Sequence, residues 1–379
     1  MKELMVQNTI PIVTMRTLFI STLKPGLESG GARRSLQLLD SFTRLGEVDV
    51  IHYSREGGCF NGLGRRFRII PCLKPWPFSV QKYHSRALER FIKSVQRDYD
   101  VVFIDHSHLL YLLKGLKVQS CADFQNLEDK LLCERASYTG NPLYYLEAEL
   151  FSRFVRKYAQ YAGVIFSPSC KDRTLLAQWH SSVVFLPHSY SFPVSPMRRG
   201  ERELLIFGNF DFFATRHGAE KWVKIFQAQV ELRLWPGMRI IGNESVKYFT
   251  KSERMMVHGF MDQLEHYIGF DDIMVIPVEF GSGSRVKIMD SLAAGLPFAS
   301  TEKGVEGWPE EIRGCGEIAE NIDQLPEAVD RLLDQSCYLR RREKILLLRE
   351  KYHSDAVFRE YFKPELLAVE NRAERNCTV

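Results

Sequence analysis

Two cations and a run of small residues stand together at 281–290: Gly281, Ser282, Gly283, Ser284, Arg285, Val286, Lys287 and, one turn further on, Asp290. The glycines let the backbone bend tightly and let a ligand come close to it. From about Ser284 the pattern turns helical, with Val286, Met289, Ala293 and Leu296 near helical spacing. Gly295 followed by Pro297 reads as the stop. A helix N-terminus just after such a turn offers unpaired N–H groups and partial positive charge. Arg285 adds a planar fork and Lys287 a point charge, which together suit a diphosphate. Asp290 is placed to accept hydrogen bonds from sugar hydroxyls. The same residues also fit a solvated helix whose Lys287 and Asp290 form an i,i+3 pair worth about 0.2–0.5 kcal/mol.

The elements that would carry this loop alternate between strand and helix. Ile273–Pro277 is a short apolar strand just before it. Leu204–Phe207 opens the same unit, followed by Gly208 and Asn209, a loop carrying Arg216 and His217, and a helix over Ala219–Phe226. Met238–Gly242 and Met255–Phe260 supply two more strands, the second ending near His258. The first half reads similarly: strands at Thr17–Thr22, Val48–His52, Asp100–Asp105, Gly163–Cys170 and Val183–Leu186. Gly30 and Gly31 form a turn before a helix over Ala32–Leu45. The third of these strands ends in His106-Ser-His108, at the carboxyl edge where parallel sheets bind ligands. Asp123–Glu128 reads as a strand-to-helix junction capped by Asn126, and Tyr144–Tyr161 as an amphipathic helix. Residues 325–350 are helical. The alternation defines an α/β protein.

The run from Gly281 to Gly307 closely resembles the nucleotide-sugar motif of the family 4 type, group 1 glycosyltransferases, roughly G-x-G-x-R-x-K-x-x-E-A-x-A-x-G-x-P-V-V-x-T-x-x-G-x-E-G. Asp290 stands where that family has Glu, and Ser282 stands where one variant has a further Glu. Asp123–Glu128 is similar to the family's D-x-H-N-x-E segment, with Gln125 in place of His. The resemblance implies a GT-B architecture, two facing Rossmann-like domains with a cleft between them. It divides the chain into an acceptor-side domain (1–190), a linker (191–203), a nucleotide-sugar domain (204–350) and a C-terminal helix (351–379, from Tyr352 to Leu367) that crosses back. It further implies a retaining transfer from a UDP- or GDP-sugar to a hydroxyl of a glycan, lipid-linked or other acceptor. The resemblance also implies that no cofactor stays bound and that no metal is required. Arg285, Lys287 and His106 carry catalysis on this reading. Gly30, Gly31, Gly208, Asn209, Arg216 and His258 join the 281–290 loop around the donor. His106, Asn126 and Glu128 face the acceptor. A nucleotide-sugar epimerase shares the architecture, and the altered positions Ser282, Asp290 and Gln125 also fit a catalytically inactive binding protein.

Composition is that of a globular chain: 379 residues, 45% hydrophobic and 26% charged. Eight cysteines show no Cys-x-x-Cys or Cys/His zinc spacing, which argues against a metal site or disulfide framework. With no signal-peptide pattern, they point to a cytoplasmic setting. Residues 1–15 read as a loose leader. The net charge of +4 is uneven: residues 1–190 hold 25 Lys+Arg against 17 Asp+Glu, and the rest 26 against 30. A basic first half favours an anionic partner. Its most basic stretch, 65–97, interleaves cations with Phe67, Trp76, Phe78 and Tyr83. That stretch fits either peripheral contact with an anionic membrane or a solvated loop and helix whose aromatics belong to the core. Nucleic acid would attract the same charges but is not an expected partner.

Overall fold

The computed structural model describes residues 15–366 apart from 27, 28, 71, 73, 192, 193 and 262. The expected leader, Met15 excepted, and the end of the crossing helix at Leu367 lie outside these residues. Two sheets organise the chain. The first holds β1 (Met15–Ser21), β2 (Gly46–Ser54), β3 (Cys59–Gly62), β4 (Arg65–Arg68), β5 (Val101–Ile104), β6 (Gln119–Asp123), β7 (Val164–Ser167) and β8 (Val183–Phe185). Its order is β4-β3-β2-β1-β5-β6-β7-β8. Pairing is parallel from β2 through β8, and β3 and β4 add an antiparallel edge. The second sheet holds β9 (Leu204–Phe207), β10 (Met238–Ile241), β11 (Met255–His258), β12 (Ile273–Ile276), β13 (Phe298–Thr301) and β14 (Gly316–Ala319), all parallel, ordered β11-β10-β9-β12-β13-β14. The strands are short apolar runs because helices cover both faces; β5, β7, β9 and β12 are buried at every position.

Strand order reverses direction between β1 and β5 in the first sheet and between β9 and β12 in the second. Loops leaving the carboxyl ends of strands at such a reversal diverge and open a crevice, where open α/β sheets bind ligands. The loops flagged above leave those four strands. The chain then returns: Val357, Phe362 and Leu366 pack in one core with Phe19, Phe42, Phe103 and Phe166 of the first lobe. Phe362 meets Phe42 edge-on at 4.9 Å. Residues 194–198 lie along the second lobe, bonded through Val194 N–H to Ala293 O (3.0 Å) and Met197 N–H to Glu265 O (2.8 Å). In 65–97, Phe67 and Trp76 are buried and Tyr83 half-buried, so the core reading holds for them, whereas Phe78 is 77% exposed.

Candidate functional site

The second lobe places Lys287 one residue into the helix Val286–Ala294, against the loop after β9. Its Nζ donates to Thr215 Oγ1 (3.1 Å). A Cβ on Gly208 would sit 3.3 Å from Lys287 Cε and 2.5 Å from Thr215 Cγ2, so only glycine lets the three meet. Burial pushes the Lys287 ammonium down to about 8; Arg285 adds repulsion and Asp290 partly offsets it. The helix expected at Ala219 begins at Phe213 and runs to Gln229. Phe212 at its N-cap offers no side-chain acceptor, so the usual start signal is missing from the sequence. Arg216 and His217 therefore sit in the first turns of the helix and not in a loop. Arg216 stacks on Tyr248 at 4.6 Å. His217 lies between Glu279 (3.2 Å) and the Tyr138 hydroxyl of the first lobe (3.0 Å). Asn209 caps its own loop, taking the Asp211 N–H (3.1 Å). His258 turns toward Arg239 (2.7 Å), and burial and that cation lower its pKa, so the ring is neutral and accepts from the guanidinium.

The Gly281–Gly283 turn corrects the simplest reading of the loop. That reading turns its N–H groups toward phosphate, but two carboxylates of the first lobe hold them. Gly281 donates to Glu134, and Gly283 to Asp172 Oδ2 (3.1 Å). Ser282 Oγ donates to Leu127 O (3.2 Å). The Arg285 fork is spent on its own turn, with Nη1 on Ser282 O (2.6 Å) and Nη2 on Phe280 O (3.2 Å). Arg285 Nε and Ser284 Oγ remain buried without a protein partner. Asp290 is not free either: Arg33, from the glycine-led helix Gly30–Thr43, bonds it at 2.6 Å. Lys303 links Glu134 (2.6 Å) to Glu306 (2.6 Å) along the same seam.

The expected Gly30-Gly31 turn is the first turn of that helix, capped by Ser29 Oγ on Ala32 N–H (3.2 Å). Both glycines serve close approach: a Cβ on Gly30 would meet Val286 Cγ2 of the other lobe at 3.2 Å, and one on Gly31 would meet Leu23 Cδ1 at 2.9 Å. Beside them Asp105 is fully buried, taking Ser21 Oγ (2.7 Å), Ser35 Oγ and Gln125 Nε2 (3.1 Å). Burial raises it to about 6 despite those bonds. Gln125, where the related motif has His, thus ties the helix loop to β5. His106 Nδ1 lies 3.7 Å from Asp105 and has no hydrogen-bond partner; burial pushes its pKa down to about 4, so the ring is neutral. His108 is a core residue, edge-on to Phe151 at 5.0 Å. Leu127, not Asn126, is the N-cap of the helix Glu128–Thr139. The Asn126 amide nitrogen, turned to face them, reaches the carbonyls of Ser282 and Gln125 at 3.1 Å each. Glu128 is pushed up to about 7 by burial, with Lys82 pulling it back.

One seam therefore gathers Lys287, Arg285, Ser284, Gly208, Gly30, Asn126 and Asp290, whereas His106 is held within the first lobe beside Asp105. Thr215, Arg33 and Glu134 carry no motif and went unread in the sequence; Asp172 stands in the first turn of a short helix capped by Ser169. Asp172 offers a test of the seam. Burial raises its carboxyl to about 6, so the ionised form is disfavoured in the folded state and its cost is felt as pH rises from about 4 through 6. Asp172→Asn keeps an oxygen for Gly283 N–H and should be at least as stable as the parent at pH 7, its advantage vanishing toward pH 4. Asp172→Ala leaves that N–H unpaired and should cost about 1–3 kcal/mol in urea unfolding.

Two facing parallel-sheet lobes whose reversal points meet at one seam make this a GT-B protein. Residues 201–335 match the family "Glycosyl transferases group 1". No curated protein sequence matches the chain significantly. Among solved structures, alpha,alpha-trehalose 6-phosphate synthase from Burkholderia multivorans superposes with a TM-score of 0.64 at 12% identity, over 95% of this chain and 99% of its own. HepE from Anabaena, solved in complex with UDP-glucose, gives 0.62 at 10% identity, over 94% and 100%. S. aureus TarM, solved as a point mutant with Fondaparinux, alpha-GlcNAc-glycerol and UDP, gives 0.57 at 9%, over 84% and 63%. At such identities the structures establish the fold, and the resemblance noted from residues 281–307 agrees with it.

Proposed function

We propose that the protein is a glycosyltransferase that moves a sugar from a UDP- or GDP-sugar to an acceptor hydroxyl, with retention of configuration and without a bound metal. The observation that carries this reading is Lys287: a partly buried ammonium held between Gly208 and Thr215, at the first turn of a helix that opens on the seam. In the transfer, the bond from the anomeric carbon to the phosphate oxygen breaks and a bond to the acceptor oxygen forms. The acceptor proton leaves with the departing diphosphate. Charge grows on the diphosphate, where Lys287, the Ser284 hydroxyl, Arg285 Nε and the helix N-terminus offer stabilisation that a divalent ion gives in other enzymes. Glu134 and Asp172 hold the glycine turn that positions these groups. On the opposite wall neutral His106, with its buried and unpartnered Nδ1, and Glu128 stand behind the acceptor.

The experiment is incubation with a panel of UDP- and GDP-sugars, with and without hydroxyl acceptors, and NMR of the product anomer. Transfer that requires acceptor and keeps the donor's configuration supports the reading. Conversion of donor alone to an epimer sinks it. A pH effect follows as well. The Lys287 pKa lies near 8, so the cation is present below that value and lost above it. Nucleotide affinity should be flat below about pH 7 and weaken above about pH 8, with proton uptake on binding, read by calorimetry in buffers of different ionisation enthalpy.

A further inference from the structure

A tip of the first lobe, close to where Tyr138 meets His217 of the second, carries large apolar side chains that no described residue covers. Phe78 is 77% exposed, Leu143 67%, Leu146 58% and Tyr145 49%. They are neighbours by construction. The Glu147 carboxylate takes the N–H groups of Phe78 (2.9 Å) and Ser79 (2.8 Å), pinning that turn to the helix Leu143–Tyr158. Leu143, Leu146 and Glu147 fall on one face of that helix, three and four residues apart. A contiguous apolar tip of this kind differs from isolated exposed leucines and marks an interaction site.

Its surroundings are cationic. Residues 65–97 hold nine Lys and Arg and a single acid, Glu89. An open pocket of about 540 Å³ is lined by Cys72, Lys74, His84, Arg86, Glu89, Arg90 and Lys93. Glu89 is taken by Lys93 (2.8 Å), and Lys74, Arg86 and Arg90 have no ion-pair partner among the described residues. The pocket lies along the same helix from the tip: Lys74 lies over Trp76 (4.5 Å), and Trp76, two residues before Phe78, packs against Phe154 (5.4 Å) and Tyr158 in the last turns of the helix that presents Leu143.

We propose that this tip rests on an anionic phospholipid surface, with Phe78, Leu143 and Leu146 at the headgroup–acyl boundary and Lys74, Arg86 and Arg90 on lipid phosphates. Aliphatic leucines flanked on one side by cations unpaired among the described residues fit that boundary better than a nucleic acid, which would ask for stacking platforms. The tip follows the last turn of the helix Glu128–Thr139, whose first residue stands on the proposed acceptor wall about 16 Å away, within reach of an acceptor held at that lipid surface. Presentation of the acceptor rests on the transferase reading; the docking itself does not.

The test is co-sedimentation of the full chain, without nucleotide, with vesicles of mixed phosphatidylglycerol and phosphatidylcholine and with pure phosphatidylcholine. The wild type should pellet with the mixed vesicles and not with the pure ones. Phe78→Glu with Leu143→Glu and Leu146→Glu should lower partitioning at least about tenfold, since these chains lose apolar contact and gain repulsion. Lys74→Ser with Arg90→Ser should lower it about fivefold per cation. All these positions are on the surface, and circular dichroism checks that the variants fold. Equal binding to both vesicle types, or a triple variant that binds like the wild type, overturns the proposal, whatever the outcome of the transfer assay.

Discussion

Replacing Lys287 by alanine is expected to leave the fold intact and to lower turnover about a hundredfold or more. The fold should survive because burial depresses the Lys287 pKa, which means that the charged side chain costs stability in its place. Removing it relieves that cost and leaves Thr215 Oγ1 free to rotate to another partner. Turnover should collapse because a preorganised cation beside a developing charge contributes about 3 kcal/mol or more to the barrier. Lys287→Arg should rescue little. The guanidinium is wider and Gly208 and Thr215 close the space around Cε and Nζ. Paired kinetics and thermal unfolding check both halves of this expectation, and near wild-type turnover in the alanine variant contradicts it.

Arg34→Ala should cost about 3–5 kcal/mol, the largest stability effect expected from a single polar substitution in this chain. Arg34 and Asp123 are both fully buried and meet twice, Nη2 to Oδ1 at 2.8 Å and Nε to Oδ2 at 3.3 Å. Arg34 Nη1 also closes on Pro187 O (3.0 Å). Burial already raises the Asp123 pKa while Arg34 lowers it, so removing the arginine strands a carboxylate in the core. That carboxyl will protonate more readily in the folded variant. The deficit in urea unfolding should therefore be largest at neutral pH and shrink as pH falls. A double replacement of both partners by apolar residues should cost less than Arg34→Ala alone. Because the pair joins the helix Gly30–Thr43 to β6, the same variant should loosen the wall that carries His106 and Gln125.

Most parallel strands were readable because they are short apolar runs between glycine-marked turns, and because Gly295 stops its helix in a left-handed conformation, φ 68°. The antiparallel edge was not, since neither β3 nor β4 is an apolar run, and Arg65–Arg68 falls in the stretch read as loop and helix. Helix starts were less legible. Phe212 and Arg285 occupy cap positions without capping side chains, so the helices after them gave no signal at their first residue. Glycines misled in one respect: Gly30 and Gly31 are helical, kept small by Val286 and Leu23 rather than by a turn. The chemistry of the seam depended on partners distant in sequence. Nothing local to Gly281 announces Glu134, and nothing local to Asp290 announces Arg33. The departures from the related motif become intelligible only with those partners in view. Gln125 replaces a ring with an amide that reaches Asp105, and Asp290 meets an arginine from the opposite lobe.

Calorimetric titration of UDP and of GDP into the wild type and into Lys287→Ala at pH 7 tests the donor site most directly. The wild type should bind one of the two nucleotides saturably, and the variant at least about tenfold more weakly. No binding of either nucleotide by the wild type, or equal affinity in the two proteins, would overturn the donor site at Lys287.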